Sequence, residues 1–372
     1  MKIVVDRNIR AARATFGAHA DLVFMDGRTI RRDDLLDADA LVVRTATRVG
    51  PELLQGTPVR FVGSTSIGTD HLDIDWLTRA GIAWSNAPGC NADSAAQYTL
   101  AMIWLAWERL GRSLSGLTAG IIGHGNVGSR VKCLLETLGA RVVANDPPLA
   151  AAGEPGLVSL DEALDQDLVC LHVPLTTDGP YPTCRMIAAD TLARMRDGAL
   201  LVNTARGDVV DGPALLAELQ SGRLHAALDV WPGEPRIDAA LLRAACVATP
   251  HVAGYSDDGK RLGTWMVYTR FCEWAGLEAV QTAAAPGDVQ ELELPAGDDV
   301  LGKALDAACF VALHDSGLRA LAEVSAGQRA AGFDQLRRDY PPRRDFKGWC
   351  LRVADPESAR LLRRLGFQAA HA

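Results

Sequence analysis

The sequence has no long apolar run and no excess of positive charge. Its longest apolar stretch, Leu100–Trp107, is far shorter than the roughly 20 residues that cross a bilayer, and Met1–Arg10 carries Asp6 and Arg7 where a secretion signal needs an apolar core. Lysine and arginine together number 38, against 46 aspartate and glutamate residues. A general nucleic-acid binder needs a broad basic surface. We therefore expect a cytoplasmic protein with neither a membrane nor a nucleic-acid partner.

Closely spaced cysteines are also missing. The eight cysteines are scattered without a Cys-x-x-Cys pair, and most of them lie among apolar residues. Such cysteines are typical of buried thiols in a reducing compartment, and not of a disulfide framework or a zinc site. The sequence therefore predicts no bound metal.

What the sequence does contain is a glycine-rich turn after a short apolar run, at residues 119–129 (AGIIGHGNVGS). The pattern predicts a strand, a tight turn and the start of a helix. Gly123 permits the turn, Gly125 lets the backbone approach a pyrophosphate, and Gly128 lets the helix lie close to the strand. A second predicted strand ends at Asp146, 18 residues after Gly128, where a carboxylate would bind the ribose of a dinucleotide.

The residues at this second strand end favour NAD over NADP. Asp146 would repel a 2′-phosphate, and Pro147 and Pro148 follow it where an NADP enzyme needs a basic residue. NAD is the expected cofactor.

The length of 372 residues predicts two or three domains. The first part of the chain alternates helical patterns with short apolar strands, which predicts a parallel sheet covered by helices. The predicted strands are Lys2–Asp6, Leu22–Phe24, Ala40–Arg44 and Arg60–Gly63. Because the glycine-rich turn comes only near residue 120, we expect this part to be a separate α/β domain.

A long apolar helix is predicted over Asp93–Leu110, and the strands and helices of a doubly wound sheet follow up to about residue 252. The helical pattern over Asp257–Ala275 is expected to return to the first domain. Thr282–Gly297, rich in alanine, proline and glycine, is the candidate linker.

The tail predicts a third, small α+β unit, with helices over Leu301–Leu313 and Glu357–Leu365 and a strand over Trp349–Val353. The expected fold is therefore α/β, with two doubly wound parallel-sheet domains and a C-terminal α+β domain. The predicted bounds are 1–92 with 257–281 for the substrate domain, 93–256 for the dinucleotide domain and 282–372 for the C-terminal domain.

Three polar residues follow later predicted strands, where ligands bind in open α/β sheets. They are Arg206 in Asn-Thr-Ala-Arg-Gly, Glu234 in Asp-Val-Trp-Pro-Gly-Glu-Pro, and His251 after a Thr-Pro pair. Hydride exchange at the carbinol carbon of a 2-hydroxy acid needs a cation for the carboxylate, a base for the hydroxyl proton and an acid that orients this base. Singly, the three have ordinary explanations: a surface ion pair, a turn residue and a packed histidine. Together, after a dinucleotide turn, they predict a dehydrogenase site.

These motifs, over roughly residues 60 to 275, resemble the D-isomer-specific 2-hydroxyacid dehydrogenases. The resemblance implies a flavodoxin-like substrate domain and a Rossmann NAD domain. It implies that Arg206 binds the substrate carboxylate, that Glu234 pairs with the histidine and that His251 exchanges the proton. The residues that it places on the cofactor are Gly123, Gly125, Asn126, Val127, Gly128, Asp146, Val173, Asp229 and Gly254.

Further segments resemble a narrower group of that family along essentially the whole chain, among them Val43–Thr47, Gly68–Asp73, and Phe333–Tyr340 followed by Arg343-Arg344. Members of this group oxidise 4-phosphoerythronate to 2-oxo-3-hydroxy-4-phosphobutanoate in pyridoxal 5′-phosphate synthesis, and they carry a C-terminal dimerisation domain. The resemblance implies that reaction and a homodimer.

The narrower resemblance also implies three substrate contacts, from Thr45, Ser66 and Tyr255. The substrate phosphate needs fixed positive charge from outside the cofactor domain. Arg44, at the end of a predicted strand, is the first candidate, with an exposed arginine as the ordinary alternative. Arg343 and Arg344 are a second candidate pair.

Four positions depart from the usual residues of the narrower group. Thr45 stands for a serine, Ser64 and Ser66 stand for threonines, and Pro232 stands for an acidic residue. All four keep either a hydroxyl or the loop geometry, so the expected substrate class is unchanged.

Two other functions stay open. A dehydrogenase for 3-phosphoglycerate or for glyoxylate and hydroxypyruvate has the same motifs. A non-catalytic NAD(H)-sensing corepressor on the same fold is a rival of another class, although the complete Arg206, Glu234 and His251 set and the acidic composition count against it.

Overall fold

The computed structural model describes residues 1–114, 116–280, 289–294, 297 and 299–371. The strands in these residues are β1 (Lys2–Asp6), β2 (Asp21–Met25), β3 (Ala40–Val43), β4 (Phe61–Ser64), β5 (Ala83–Ser85), β6 (Thr118–Ile122), β7 (Arg141–Asn145), β8 (Leu168–Leu171), β9 (Leu200–Asn203), β10 (His225–Leu228), β11 (Val247–Ala248), β12 (Gln290–Leu294), β13 (Trp349–Val353) and β14 (Gln368–His371).

The helices are α1 (Ala12–Phe16), α2 (Pro51–Leu54), α3 (Ile74–Arg79), α4 (Ala92–Arg109), α5 (Gly128–Thr137), α6 (Pro147–Ala151), α7 (Leu160–Leu164), α8 (Ala189–Leu192), α9 (Gly212–Gln220), α10 (Ala239–Ala244), α11 (Asp257–Ala275), α12 (Val300–Cys309), α13 (Val311–Arg319), α14 (Ala326–Arg338) and α15 (Pro356–Leu365). Single turns of 3₁₀ helix lie at Arg32–Leu35, Gly207–Val209 and Phe346–Gly348. Within the described ranges, no helix is long and apolar enough to cross a bilayer.

The elements form two compact units, which are Met1–Asn91 with Tyr255–Val289 (unit 1) and Ala92–Gly254 with Gln290–Ala372 (unit 2). The segment predicted as a separate C-terminal domain thus belongs, from Gln290 onward, to the same compact unit as the dinucleotide half. The division into three domains stays a prediction.

Unit 1 contains a five-stranded parallel sheet in the order β2-β1-β3-β4-β5. This is the strand order of a flavodoxin-like domain, as the sequence predicted. All four residues of β3 are buried, because helices cover both faces of a parallel sheet. Helix α11 packs on one face so closely that a Cβ atom on Gly63 would lie 2.3 Å from Val267.

Unit 2 contains a six-stranded parallel sheet in the order β11-β10-β9-β8-β6-β7. At its outer edge, Leu157 makes a single parallel bridge to Ala144 of β7, where a dinucleotide fold has its third strand. The chain order reverses between β6 and β8, so the loops after these two strands border the place where ligands bind in doubly wound sheets. The Rossmann prediction is confirmed.

The C-terminal part of unit 2 adds a three-stranded parallel sheet, β12-β13-β14, and helices α12 to α15. Here several predictions were wrong. The candidate linker Thr282–Gly297 contains strand β12, which pairs along its whole length with β13; residues 282–288, 295 and 296 lie outside the described residues. The helix predicted over Leu301–Leu313 is two helices, because Phe310 takes a left-handed conformation with φ 55°. Helix α14 and strand β14 were not predicted.

Candidate active site

The glycine-rich turn connects β6 to α5, and two of its three glycines are required by close contacts within the protein. A Cβ atom on Gly123, whose φ is +93°, would lie 2.7 Å from the carbonyl of His172, and one on Gly128 would lie 1.9 Å from the carbonyl oxygen of Gly123. A Cβ atom on Gly125 would meet nothing within 4 Å. Asn126 and Val127 lead from this turn into the helix. The turn therefore has the shape that a pyrophosphate needs, with a bare backbone at Gly125 and helix N–H groups behind it.

Asp146 directly follows β7, beside this turn. Its carboxylate accepts a hydrogen bond of 2.9 Å from the backbone N–H of His124 and one of 3.1 Å from Leu149, whose helix it caps. The carboxylate is thereby fixed at the edge of the glycine-rich turn. This arrangement fits a bound dinucleotide, because a carboxylate has acceptor capacity left for a ribose hydroxyl.

His172 and Val173 follow β8 on the other side of the point where the strand order reverses. A Cβ atom on Gly123 would also lie 2.9 Å from the side chain of Val173, so this predicted cofactor residue borders the turn. Within the described part of the chain, both ring nitrogens of His172 are buried without a hydrogen-bond partner. Burial lowers the pKa of His172 to about 3, so the ring is neutral. The sequence reasoning missed His172, although its place after a central strand was a signal.

Arg206 lies in the loop between β9 and the 3₁₀ turn at Gly207–Val209. Asn203 orders this loop, since its side chain donates to the carbonyl of Arg206 and accepts from the N–H of Ala205. The guanidinium of Arg206 is exposed and donates to the carbonyl of Ala205 at 2.8 Å. A Cβ atom on Gly207 would lie 2.0 Å from the carbonyl oxygen of Trp231. The loop of Arg206 and the loop of Glu234 are therefore in direct backbone contact.

Glu234 and His251 form a hydrogen-bonded pair. Oε1 of Glu234 accepts from Nδ1 of His251, and Oε2 accepts from the N–H of Trp231 at 3.1 Å. The indole of Trp231 donates to the carbonyl of Thr249 at 2.9 Å, which ties the two loops together. Because Nδ1 faces the carboxylate, Nε2 is the nitrogen that can exchange a proton with a ligand.

The surroundings of Glu234 favour its charged form. Burial raises the pKa of its carboxyl group, but the hydrogen bond and charge of His251, the N–H of Trp231 and the charge of Arg337 together lower it below its ordinary value. Glu234 is thus a carboxylate that can stabilise an imidazolium ion on His251.

Asp229, predicted to contact the cofactor, is fully buried beneath the loop that carries His251. Its carboxylate accepts from the hydroxyl of Thr249 at 2.6 Å and from the N–H groups of Val252 and Ala253 at 2.9 Å each. The N–H of His251 donates to the Asp229 carbonyl at 2.7 Å. Asp229 therefore shapes the loop that ends at Gly254; its contact with the cofactor stays a prediction.

The predicted substrate residues of unit 1 lie at the carboxyl ends of neighbouring strands. Arg44 and Thr45 follow β3, and Ser66 follows β4; the N–H of Thr65 bonds to the carbonyl of Val43 at 3.0 Å. Arg44 donates from Nε to the buried carboxylate of Asp6 at 3.0 Å, with 40% of its side chain exposed. Asp6 therefore holds the guanidinium group of Arg44 at this edge of the sheet, where it stays partly exposed.

Three further side chains, Ser64, His71 and Tyr255, belong to unit 1. Ser64 and His71 share a buried hydrogen bond of 2.9 Å, which closes the loop that carries Ser66. Tyr255, at the start of the segment that leads into α11, has the ammonium group of Lys260 5.2 Å from its ring centre.

The suggestion that Arg343 binds the substrate phosphate was wrong. Its guanidinium is 1% exposed and donates to the carbonyls of Ser94 and Ala253, so it has no surface to offer to a ligand.

In the ranges that the structure describes, no group of three histidine, cysteine or acidic side chains could hold a metal ion.

Comparison with known proteins agrees with this geometry. Residues 91–253 match the NAD binding domain of the D-isomer specific 2-hydroxyacid dehydrogenases. A D-lactate dehydrogenase from Aquifex aeolicus, solved with NAD and lactic acid, is 27% identical, with a TM-score of 0.59 over 74% of this chain and 96% of that one. The fold and the matched domain define the class of protein, which is an NAD-dependent D-2-hydroxyacid dehydrogenase, as the sequence predicted.

Relatives at higher identity cover almost the whole chain. An erythronate-4-phosphate dehydrogenase of Teredinibacter turnerae is 43% identical over 95% of both chains, and one of Hahella chejuensis is 42% identical over 93% of both. The chain belongs to the erythronate-4-phosphate dehydrogenase family.

Proposed function

We propose that the protein oxidises 4-phospho-D-erythronate to 2-oxo-3-hydroxy-4-phosphobutanoate with NAD, as a step of pyridoxal 5′-phosphate biosynthesis. The observation that carries the proposal is the hydrogen bond between Glu234 and Nδ1 of His251, next to a loop that presents Arg206. The names of the relatives supply the substrate, because a hydroxy-acid site by itself does not select one.

His251 is the acid/base group of the proposed reaction. Its Nε2 takes the proton of the C2 hydroxyl while the hydride leaves C2, so the carbinol becomes a carbonyl. The positive charge that this creates on the imidazole is stabilised by the Glu234 carboxylate, which is already aligned with Nδ1. NAD, when bound at the glycine-rich turn, is the hydride acceptor.

The remaining residues bind and orient the substrate. Arg206, with its exposed guanidinium fork, binds the C1 carboxylate. The hydroxyl groups of Thr45, Ser66 and Tyr255 hold the polar chain of the substrate, and Arg44 faces its phosphate. The Nε atom of Arg44 is engaged by Asp6, which leaves the outer edge of the guanidinium group oriented for the phosphate.

We also propose a cytoplasmic location and a homodimer formed through the C-terminal segment. The scattered, unpaired cysteines support a reducing compartment. Sedimentation of the purified full-length chain tests the dimer.

The decisive experiment offers the purified protein a panel of 4-phospho-D-erythronate, D-3-phosphoglycerate, D-glycerate and D-lactate. A 2-oxo acid is added as electron acceptor, so that slow release of NADH cannot hide turnover, and the products are identified by mass spectrometry. We expect 2-oxo-3-hydroxy-4-phosphobutanoate as the main product. Equal turnover of all four acids would refute the substrate assignment.

A variant of Arg44 tests the phosphate contact. Arg44→Met should raise KM for 4-phospho-D-erythronate by about 10- to 100-fold, the usual cost of a charge-assisted contact to phosphate. The same change should leave the weak oxidation of unphosphorylated D-erythronate nearly unaltered. Equal losses for both substrates would show that Arg44 maintains the fold of the strand end and does not bind phosphate.

A further inference from the structure

Arg343 is an arginine that the proposed chemistry does not use, yet it lies beneath the acid/base loop. It follows α14 after two prolines, and its guanidinium is 1% exposed within unit 2. Nη2 donates to the carbonyl of Ala253 at 2.7 Å and to that of Ser94 at 3.1 Å. The guanidinium also lies 5.2 Å from the ring centre of Tyr98.

The contact with Ala253 comes two residues after His251. The N–H of Ala253 donates to the Asp229 carboxylate at 2.9 Å, and its carbonyl accepts from Arg343. The peptide groups on both sides of Ala253 are therefore fixed by two buried groups of opposite charge. Asp229 is attached to strand β10, whereas Arg343 comes from the C-terminal segment.

His251 itself has a left-handed backbone conformation, with φ 56°. A residue with a Cβ atom keeps this conformation only where its surroundings impose it. The hydrogen bonds of Asp229 hold His251 and Val252 from one side. Arg343 supplies the other side, because its Nη2 donates to the carbonyls of both Ala253 and Ser94.

The charges around Arg343 explain why it is tolerated in the interior. Asp345, whose charge acts on Arg343, is 3% exposed and accepts from the hydroxyl of Ser94 at 2.8 Å. A buried cation is tolerated where carbonyl groups accept its hydrogen bonds and a nearby carboxylate compensates its charge. The guanidinium therefore has a fixed position relative to the loop.

We propose that Arg343 is a positioning residue for the acid/base group: it holds the Ala253 carbonyl so that the imidazole of His251 stays aligned with Glu234. The C-terminal segment would thus set the geometry of the reaction from beneath the loop, without touching the substrate. This proposal rests on the proposed role of His251 in the reaction.

Arg319 offers a matched control. It belongs to the same C-terminal segment and also donates to backbone carbonyls, those of Ala245 at 2.7 Å and Cys246 at 3.0 Å. These carbonyls precede β11, on the side away from His251. Loss of Arg319 should therefore cost folding stability of a similar kind while leaving the acid/base loop in place.

The experiment compares Arg343→Met and Arg343→Lys with Arg319→Met in the full chain. The first readout is backbone hydrogen exchange at Val252 and Ala253 in the absence of substrate, which requires no assumption about the reaction. In Arg343→Met, exchange there should rise about tenfold or more as the loop opens locally. In Arg319→Met, the increase should fall on Ala245–Ala248 instead.

The second readout is kinetic. Arg343→Met should lower kcat about 10- to 100-fold with a KM change of less than about threefold, because a misplaced base slows the chemistry without removing a substrate contact. Arg343→Lys should recover part of this loss, and guanidinium ion at concentrations too low to unfold the protein should recover part of it in Arg343→Ala. If Arg343→Met does not fold, Arg343→Lys decides the question with the same readouts.

The proposal is overturned if exchange at Val252 and Ala253 stays within about twofold of the wild type, or if Arg319→Met lowers kcat as much as the Arg343 variants do. A wild-type protein that fails to oxidise 4-phospho-D-erythronate would refute the proposed function. In that case, the hydrogen-exchange comparison would still decide whether Arg343 holds the loop.

Discussion

Replacing Glu234 with glutamine removes one charge from the acid/base pair and leaves its shape almost unchanged. The amide oxygen of glutamine can still accept from Nδ1 of His251, whereas the amide NH2 takes the place of the oxygen that accepts from the N–H of Trp231. What is lost is the attraction between the carboxylate and the imidazolium ion that forms as the hydroxyl proton moves to His251. The variant therefore removes the charge and the hydrogen bond from Trp231, while the hydrogen bond to His251 is kept.

The size of this attraction follows from the burial of the pair. Two unit charges about 4 Å apart attract by about 4 kcal/mol at an effective dielectric constant of about 20, and by about 1 kcal/mol in water. The side chains of His251 and Glu234 are 28% and 24% exposed, so an intermediate value of about 2 kcal/mol is expected. That corresponds to a loss of about 30-fold in kcat.

The assay is steady-state oxidation of 4-phospho-D-erythronate with a 2-oxo acid as electron acceptor, over a range of pH. Asp238→Asn is the control, because it neutralises a carboxylate in the same loop that caps a helix by accepting from the N–H of Leu241 at 2.8 Å. Asparagine also caps helices well. The control should stay within about twofold of the wild type.

Thermal unfolding supplies an independent check. Because the folded state lowers the pKa of Glu234 below its ordinary value of 4.5, its charge contributes stability above that pH, and this contribution is lost as the pH falls through the lowered pKa. The difference in Tm between the wild type and Glu234→Gln should therefore be largest at neutral pH and shrink in acid. A kcat for Glu234→Gln within about threefold of the wild type, or an equal loss in the control, would refute the electrostatic argument.

Three further predictions concern the proton, the cofactor and acid stability. His251→Asn should lower turnover by several orders of magnitude while NADH binding, measured by fluorescence, stays near the wild-type value; near-normal turnover would exclude His251 as the acid/base group. Gly125→Ala should fold normally, because its Cβ atom meets nothing within 4 Å, but it should lose the rise in Tm that NAD gives the wild type. Gly128→Ala should already be less stable without NAD, since its Cβ atom would lie 1.9 Å from the carbonyl oxygen of Gly123. Burial lowers the pKa of His314 from 6.5 to about 4, so between these pH values the unfolded chain binds a proton that the folded chain does not. The free energy of unfolding should therefore fall by about 3 kcal/mol between pH 6.5 and 4. In His314→Gln, urea titrations should show a smaller fall over this range, and an unchanged fall would assign the acid sensitivity to other groups.

Several elements were visible in the sequence because their signals are local. The strands at Lys2–Asp6 and Arg141–Asn145 and the helix at Asp257–Ala275 have the predicted bounds. In the sequence, a strand that is buried on both faces of a parallel sheet is a short apolar run between turn residues. A serine at the N-cap position marks where a helix begins. No distant partner is needed to recognise either.

Strand β12 shows where local signals end. Its sequence, Gln-Glu-Leu-Glu-Leu, contains a single buried residue, Leu294, so the segment looked like part of a linker. It is a strand because it pairs in parallel with Trp349–Val353, more than fifty positions further along the chain. Long-range pairing of this kind leaves almost no trace in the strand itself.

The site divides in the same way. The glycine spacing and the residue types of Arg206, Glu234 and His251 were enough to predict a dinucleotide turn and a hydroxy-acid chemistry, because each is written in a contiguous motif. The residues that surround them in the fold could not be predicted from the sequence. Asp229 is buried under the His251 loop, which it holds, and Arg343, a candidate for the substrate phosphate, is enclosed by carbonyl groups.

By itself, then, the sequence determined which chemical groups this protein has and which strands carry them to a sheet edge. The tertiary structure alone decided which buried charges support those groups, because a contact such as that between Arg343 and Ala253 joins residues 90 positions apart. Burial changes what a charged side chain can do. At the surface it can bind a substrate, whereas in the interior it must form hydrogen bonds with the backbone groups and charges around it.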